Sequence, residues 1–361
     1  MEEYEYAIIG QGAAAFAAAI KADEMGIKTV MIGKNETEGA VLGGTCVNVG
    51  CVPSKRLIMV GNLLDRFNKN RFYGLSYSVR VNNFSKIMQD KEFLVGSMRF
   101  AKYQKVLGKL KNVKYINGFA SFEDKNILSF NGKRIKAKKI LIATGARARI
   151  PDIKGLDKVN YLTNEEALSM KRLPKSIVII GGRALGLEFA EMFTHFGVKT
   201  TLLQRSNRIL PNWEPEVSYY LEQYLKEEGV NIITNVNIKE VSKNRGSIIV
   251  SFSTGGKSRE IRAERILLAT GRTPNTEKLR LEEAGVETDK GGFIKIDQYM
   301  RTSAENIYAA GDVTGEPMLE ALAAAEGNKA TVNAFSGEKT SIDLSSVPSA
   351  VFTFPEAARV G

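Results

Sequence analysis

Cys46 and Cys51 are the only two cysteines in the 361-residue chain, and they lie five positions apart in a glycine-rich segment, residues 43–55. In a regular α-helix this spacing places two residues about 7.5 Å apart along the axis. That exceeds the Cα separation of roughly 7 Å that a disulfide tolerates. A pair that opens and closes therefore needs a distorted first turn, for which the flanking glycines supply backbone freedom.

The start of a helix also favours the reactive form of a thiol. The helix N-terminus and the nearby Lys55 both stabilise a thiolate, which is the nucleophile and the metal ligand. Pro53 is tolerated in the first turn of a helix that we expect to run through Ser54 to about Phe67. The alternative is a pair of buried structural cysteines, which would need neither the glycines nor the tight spacing. We therefore predict a redox-active pair.

Residues 43–55 read GGTCVNVGCVPSK, which resembles the active-site segment of the class I pyridine nucleotide-disulfide oxidoreductases. With Val47 and Val52 the segment is most similar to the mercuric reductase members of that family. The resemblance implies that electrons pass from a nicotinamide nucleotide through FAD to the disulfide. It also implies that Cys51 lies nearer to the flavin and that Cys46 engages the substrate.

Lys55 has a predicted partner far along the chain. Glu188 lies seven residues after Gly181, on the first turns of a predicted helix. In the family, residues at these two positions form an ion pair beside the flavin, whereas the alternative is an ordinary surface glutamate. The catalytic residues expected from the resemblance are Cys46, Cys51, Lys55 and Glu188.

A first dinucleotide-binding pattern follows the strand predicted at residues 4–9. Gly10 allows a tight turn, Gly12 allows a close approach to a pyrophosphate, and Ala15 lets the helix pack closely on the strand. The next strand should end in an acid that binds the ribose, but Gly33 and Lys34 stand there. Two glutamates in the following loop, Glu36 and Glu38, are the alternatives for this contact.

Further motifs match the flavin-binding segments of the family. Residues 307–312 resemble its second flavoprotein motif, in which an aspartate binds the ribityl chain, and residues 318–321 open a helix toward the flavin. The residues expected to bind FAD are Gly10, Gly12, Ala13, Ala14, Ala15, Lys34, Gly44, Thr45, Lys55, Ala120, Thr144, Gly145, Asp312, Leu319, Glu320 and Ala321.

A second pattern follows the strand predicted at residues 176–180. Its middle glycine is replaced by Arg183, which would crowd a pyrophosphate unless it turned outward, although a guanidinium can also pair with phosphate. At the end of the next strand no acid stands where an NAD-binding unit would have one, and two arginines could bind a 2′-phosphate, which favours NADPH. The residues expected at this site are Gly181, Arg183, Gly186, Glu188, Arg205, Arg208 and Gly271.

Between the two patterns, residues 84–110 are predicted to form a second long helix. Asn131 and Gly132 predict a tight hairpin turn. The tripeptide Ala-Thr-Gly occurs at residues 143–145 and again at 269–271.

Two nucleotide-binding patterns in one chain predict an α/β fold with two Rossmann-like domains, glutathione reductase-like by the resemblance. We expect an FAD domain at residues 1–153 and 274–343 and an NAD(P)H domain at 154–273. Residues 344–361 resemble the start of an interface domain, which we expect to be truncated. In the family this domain forms the dimer, so we expect a homodimer for the full-length protein and a monomeric or weakly associated fragment for this chain.

Charge and hydrophobicity limit the other classes of function. The net charge of +11 could indicate nucleic acid or an anionic membrane surface. The lysines between residues 86 and 139 lack the interleaved aromatics of a strand-binding surface, so we attribute the charge to anionic cofactors and a solvated face and expect no nucleic-acid partner. No run of about 18 apolar residues exists, so we expect a cytoplasmic protein without a membrane span.

The function predicted from the resemblance is reduction of Hg(II) to Hg(0) by NADPH through FAD and the cysteine pair. Thiolates are the soft ligands that Hg(II) would take, with Cys46 and Cys51 binding it transiently and no structural metal expected. The alternative is dihydrolipoamide dehydrogenase or another reductase of a small disulfide. A non-catalytic flavoprotein or a basic binding module is the remaining alternative.

Overall fold

The computed structural model of the chain describes residues 1–33, 42–69, 74–337 and 339–361. The first part of the chain forms seven strands and five helices. These are β1 (Glu2–Ile9), α1 (Ala13–Glu24), β2 (Thr29–Gly33), α2 (Thr45–Val49), α3 (Cys51–Asn68), α4 (Phe84–Arg99), α5 (Lys105–Leu107), β3 (Val113–Asn117), β4 (Ser121–Asp124), β5 (Ile127–Phe130), β6 (Lys133–Ile142) and β7 (Ala146–Ala148).

The first sheet is built around β1, which pairs in parallel with β2 on one side and with β6 on the other. The strand order is β3-β2-β1-β6-β5-β4. All five residues of β2 are buried, as expected for a parallel strand covered on both faces. Helix α1 follows β1 directly and packs six buried residues against the sheet, five of which are alanines.

Two local predictions in this part have different outcomes. The hairpin at Asn131 and Gly132 is confirmed, since both residues have positive φ angles, 48° and 72°, as a two-residue turn of type I′ requires. The single long helix predicted for residues 84–110 is wrong in detail. Helix α4 ends at Arg99, residues 100–104 form a π-helical turn, and α5 ends at Leu107.

The second part of the chain carries its own parallel sheet. Its elements are α6 (Asn164–Leu168), β8 (Ser176–Ile180), α7 (Ala184–His195), β9 (Lys199–Leu203), α8 (Pro215–Glu227), β10 (Asn231–Ile233), β11 (Asn237–Asn244), β12 (Ser247–Thr254), β13 (Lys257–Ala263) and β14 (Arg265–Leu268). The parallel order is β10-β9-β8-β14, while β11, β12 and β13 form a separate antiparallel sheet.

The chain then returns to the first sheet, as the sequence predicts. The remaining elements are β15 (Arg272–Pro274), β16 (Ile307–Ala309), α9 (Glu320–Phe335), β17 (Pro348–Val351) and β18 (Ala357–Val360). Strand β15 pairs with β7, β16 pairs in parallel with β6, and β17 and β18 form a hairpin. Two parallel sheets flanked by helices confirm the predicted fold class.

Helix α3 packs against α7 of the second part of the chain. One cluster of buried side chains joins Leu57, Ile58 and Leu64 of α3 to Phe189 and Phe193 of α7. Burying an apolar side chain of this size stabilises the fold by about 1.5–3 kcal/mol. The helix that begins at Cys51 is therefore fixed against α7.

Among the described residues, no helix combines the length and apolar character needed to cross a bilayer.

Candidate active site

A break in the helix separates the two cysteines. Cys46 lies on α2, which ends at Val49, and Cys51 is the first residue of α3. Gly50 joins the two helices with φ −134° and ψ −113°, and a Cβ atom there would lie 2.8 Å from the carbonyl oxygen of Thr45. The distorted first turn that the spacing predicts is therefore confirmed.

The two thiols differ in their acidity. Both are free in the structure, with Cys51 exposed and Cys46 partly buried. A hydrogen bond from the Cys46 thiol, the charge of Lys55 and the backbone amide of Cys51 together lower the pKa of Cys51 to about 7, while burial and the charge of Glu320 oppose them. The same hydrogen bond and burial raise the pKa of Cys46. Near neutral pH the pair can hold a thiolate at Cys51 and a thiol at Cys46.

Lys55 lies one turn after Cys51 and pairs with a residue of the second part of the chain. Its Nζ atom lies 2.6 Å from Oε2 of Glu188 on α7, which confirms the pairing that the sequence predicts. The glutamate side chain is only 7% exposed. Because the glutamate is sheltered from water, salt screens this ion pair less than an exposed one. The pair therefore holds the ammonium of Lys55 in place, one turn after Cys51.

Two contacts of this ion pair were not found from the sequence. The other carboxylate oxygen of Glu188, Oε1, accepts a hydrogen bond of 3.0 Å from the backbone amide of Phe352. The Phe352 ring also lies under the Lys55 ammonium, with Nζ 4.6 Å from the ring centroid. The donor is a backbone group far along the chain, so no residue pattern signals this contact.

The loop after β1 approaches its neighbours through backbone atoms at Gly10 and Gly12, and we call this region a cradle. A Cβ atom on Gly10, which has φ 141°, would lie 2.2 Å from the Ala143 carbonyl oxygen. Gly12 faces Gly44, and a Cβ on Gly44 would lie 3.0 Å from the Gly12 Cα atom. The N-termini of α1 and α2 therefore meet backbone to backbone, and neither has a side-chain cap among the described residues. Free amides at helix N-termini suit an anionic pyrophosphate, so this cradle fits FAD.

A half-buried acid, Asp312, lies next to this cradle, since its neighbour Gly311 faces Ala14. Burial raises the pKa of Asp312, while Arg272, whose Nε atom lies 3.6 Å from Oδ2 of Asp312, opposes the shift. Arg272 also donates through Nη2 to the Thr45 hydroxyl, at 3.2 Å, and to the Ala146 carbonyl oxygen. It thereby joins Asp312 to the start of the cysteine helix. Arg272 was not singled out from the sequence, although it belongs to the GRTPN segment at residues 271–275.

The other residues predicted to bind FAD belong to several elements and loops of the chain. Thr144 donates to the carbonyl oxygen of Asn275 at 2.9 Å, and Gly145 accepts from the Asn275 amide. Ala120 is buried at 2% exposure. Leu319 is the N-cap of α9, and Glu320 and Ala321 open that helix. Ala13, Ala14 and Ala15 open α1. Lys34, Glu36 and Glu38 lie outside the described residues.

The second sheet repeats the same cradle. A Cβ on Gly181, at φ 117°, would lie 2.1 Å from the Ala269 carbonyl oxygen, and one on Gly186 would lie 1.9 Å from the Gly181 carbonyl oxygen. Arg183 turns outward, so that its Nη1 atom lies 2.6 Å from Oε1 of Glu316. The guanidinium therefore leaves the N-terminus of α7 open, which fits a second dinucleotide. Gly271 adjoins this cradle, and its carbonyl oxygen accepts the amide of Arg149.

The two arginines predicted to bind a 2′-phosphate are placed differently. Gln204, at the end of β9, accepts the Gly182 amide at 2.9 Å, and Arg205 beside it is exposed. Arg208 turns back into its own loop, where Nη2 donates to the carbonyl oxygens of Pro211 and Trp213 at 2.9 and 3.2 Å. A guanidinium has five donors, so Arg208 keeps further capacity for a phosphate. Phosphate binding by either arginine stays a prediction.

Comparison with known proteins identifies the family of this chain. The profile of the pyridine nucleotide-disulphide oxidoreductases matches residues 4–327. Mercuric reductases from Staphylococcus aureus and Lysinibacillus sphaericus are 41% and 42% identical to the chain, over 99% and 100% of its length. The chain spans 64% and 65% of the length of these two relatives. It also spans 75% of a mercuric reductase from Streptomyces lividans, at 36% identity over 99% of the chain.

Solved structures show the same likeness. The HOCl-induced flavoprotein disulfide reductase RclA from Escherichia coli superposes with a TM-score of 0.87 at 29% identity. The match covers 99% of this chain and 77% of RclA.

Proposed function

Because the chain belongs to the pyridine nucleotide-disulphide oxidoreductase family, we propose that it passes electrons from NADPH to the Cys46–Cys51 pair and reduces Hg(II) to Hg(0). The observation that carries this proposal is the split helix, which leaves a thiolate at Cys51 beside the Lys55–Glu188 ion pair. The relatives from Staphylococcus aureus, Lysinibacillus sphaericus and Streptomyces lividans, which are similar over nearly the whole chain, carry the name mercuric reductase.

Membership in this family implies FAD and NAD(P)H as cofactors. When bound, FAD supplies the two-electron chemistry that links the nicotinamide to the thiols. We propose that the backbone of Gly10, Gly12 and Gly44 holds the FAD pyrophosphate and that Asp312 binds its ribityl chain. The cradle at Gly181 and Gly186 would hold the NADPH pyrophosphate.

The oxidised pair takes up two electrons and becomes one thiol and one thiolate. The balance is one disulfide plus NADPH, giving one thiol, one thiolate and NADP⁺. Of the two sulfurs, Cys51 keeps the negative charge, because Lys55 and the start of α3 favour its thiolate. Cys46 holds the proton that the hydrogen bond between the sulfurs requires. Glu188 holds Lys55 at 2.6 Å, which keeps the positive charge beside this thiolate.

Hg(II) is the substrate that the two sulfurs suit best. Thiolates are soft ligands, and a pair of them binds soft cations in preference to hard ones. Overall, NADPH and Hg(II) give NADP⁺, one proton and Hg(0), so that two electrons pass to each metal ion. Cys46, on the short helix α2, is the sulfur that we assign to substrate binding.

A second candidate function is reduction of a small disulfide. The observation that favours it is the similarity to RclA, whose name describes a flavoprotein disulfide reductase. The same two thiols serve both reactions, because a thiolate also attacks a disulfide sulfur. The two candidate functions share NADPH as the electron donor and differ in the electron acceptor, which is Hg(II) or a small disulfide.

The substrate can be tested directly on the FAD-loaded protein. We expect oxidation of NADPH that depends on Hg(II) in the presence of excess small thiol, with one Hg(0) released for each NADPH consumed. Parallel assays with lipoamide and with glutathione disulfide test the second candidate. NADPH oxidation that requires a disulfide and releases no Hg(0) would make the protein a disulfide reductase.

The expected homodimer and the expected domain boundaries stay predictions. Light scattering tests the first, and limited proteolysis tests the second.

A further inference from the structure

Two glutamate side chains of α7 accept hydrogen bonds from two backbone amides in the segment that joins β17 to β18. Glu188 accepts the amide of Phe352 at 3.0 Å. Glu191 accepts the amide of Phe354 with both oxygens, at 2.8 and 3.0 Å. Residues three apart on a helix share a face, and residues two apart on an extended chain direct their amides to the same side. The segment therefore lies along α7 in a fixed register.

The rings of the same two residues contact cations of α3. The Nζ atom of Lys55 lies 4.6 Å from the Phe352 ring centroid, and the Arg66 guanidinium lies 4.0 Å from that of Phe354. A cation over an aromatic face is attracted by the negative charge of that face. The segment is thus held from one side by glutamates of α7 and from the other by cations of α3.

Glu191 has no part in the chemistry described above, yet its exposed fraction is 0%. Burial raises its pKa to about 8, and the Phe354 amide opposes this shift. Nearby carboxylates of Glu228, Asp65 and Glu188 also raise it.

Charged groups on three elements surround this carboxyl. Lys69 of α3 neutralises the two outer carboxylates, with Nζ 2.7 Å from Asp65 and 2.6 Å from Glu228. His195 of α7 lies 3.3 Å from Glu228, and burial lowers its pKa. Within the described part of the chain, the side chain of Glu191 accepts a hydrogen bond from the Phe354 amide. Holding that amide is therefore what the buried side chain does.

We propose that Glu191 is a positioning residue for the Lys55–Glu188 pair, because it fixes Phe354 and thereby Phe352, whose amide and ring hold Glu188 and Lys55 beside Cys51. The chain of contacts runs from Glu191 through the segment to the ion pair, and the charge of Lys55 acts on the Cys51 thiolate. This inference rests on the proposed role of the cysteine pair. Its readout is the acidity of Cys51, which needs neither cofactor nor turnover.

The test measures how fast iodoacetamide alkylates Cys51 in the prereduced protein as a function of pH, with the labelled peptide quantified by mass spectrometry. The wild-type midpoint is expected at about 7. K55M should raise it, and a rise of one unit lowers the thiolate fraction at pH 7 by about fivefold. E191A should shift the midpoint in the same direction. E191Q should restore it, because a glutamine carbonyl accepts the same amide.

The double variant K55M/E191A distinguishes a positioning role of Glu191 from a general loss of packing around it. In K55M the charge that Glu191 positions is gone, so E191A should add no further shift to K55M. A wild-type midpoint in folded E191A would overturn the proposal, as would an equal shift in the presence and absence of Lys55. If E191A does not fold, E191M decides, because it keeps the length of the side chain and removes the acceptor of the Phe354 amide; an unchanged midpoint there would also overturn the proposal.

The same experiment is independent of the proposed activity. If NADPH fails to reduce the cysteine pair, the proposed function fails, and the alkylation midpoints still decide the role of Glu191.

Discussion

Replacement of either cysteine by serine is expected to abolish NADPH-dependent reduction of Hg(II), with a loss of at least about 10³-fold, as removal of a reacting nucleophile typically gives. A serine hydroxyl stays protonated near neutral pH and is a hard ligand, so it neither forms a disulfide nor binds Hg(II) well. Both sulfurs act as one unit, so Cys46→Ser and Cys51→Ser should each remove the whole activity.

Two controls keep this result specific. Met59→Ser places a serine on an exposed site of the same helix, where the side chain is 47% exposed, and should leave Hg(II) reduction unchanged. NADPH oxidation with ferricyanide, which does not require the thiols, should persist in both cysteine variants. Either cysteine variant that kept more than about a tenth of wild-type Hg(II) turnover would contradict the assigned chemistry.

Loss of Arg205 is expected to reduce the preference for NADPH over NADH by about 10- to 100-fold. A charge-assisted contact with phosphate contributes about 1.5–3 kcal/mol, and NADH lacks that phosphate. Arg205 is exposed beside the end of β9, where Gln204 replaces the acid that would bind a ribose hydroxyl. The measurement is kcat/KM for both nucleotides in Arg205→Ala, with ferricyanide as the acceptor.

Arg208→Ala is the matched comparison, because its guanidinium is bonded to the carbonyl oxygens of Pro211 and Trp213. If Arg208 also binds the phosphate, the double variant should lose more of the NADPH preference than Arg205→Ala alone. An unaltered ratio of the two kcat/KM values in the double variant would place the phosphate elsewhere, with Arg183 as the next residue to test.

Local sequence patterns predicted much of this fold because the structures they specify are local. A position that lies against a carbonyl oxygen requires glycine, so the sequence itself indicates the close approach, as at Gly10 and Gly181. The helix break at Gly50 also follows from spacing alone, because five residues of regular helix hold two cysteines too far apart. The turn at Asn131 and Gly132 was predictable for the same reason.

Contacts between distant parts of the chain were harder to predict. The pairing of Lys55 with Glu188 was available only through the resemblance to a family. The amides of Phe352 and Phe354 carry no sequence signal, so the role of Glu191 was not visible. The outward turn of Arg183 depends on Glu316, and the inward turn of Arg208 depends on two carbonyl groups. In each case the side chain's direction is set by a partner that the local pattern does not contain.

NADPH is expected to deliver its electrons to the Cys46–Cys51 disulfide. To test this, one equivalent of NADPH is added, without oxygen, to the oxidised FAD-loaded protein, and the cysteines that iodoacetamide then labels are counted. We expect two labelled cysteines per chain, at Cys46 and Cys51, and none before NADPH is added. Labelling of both residues by dithiothreitol treatment but of neither by NADPH would contradict it.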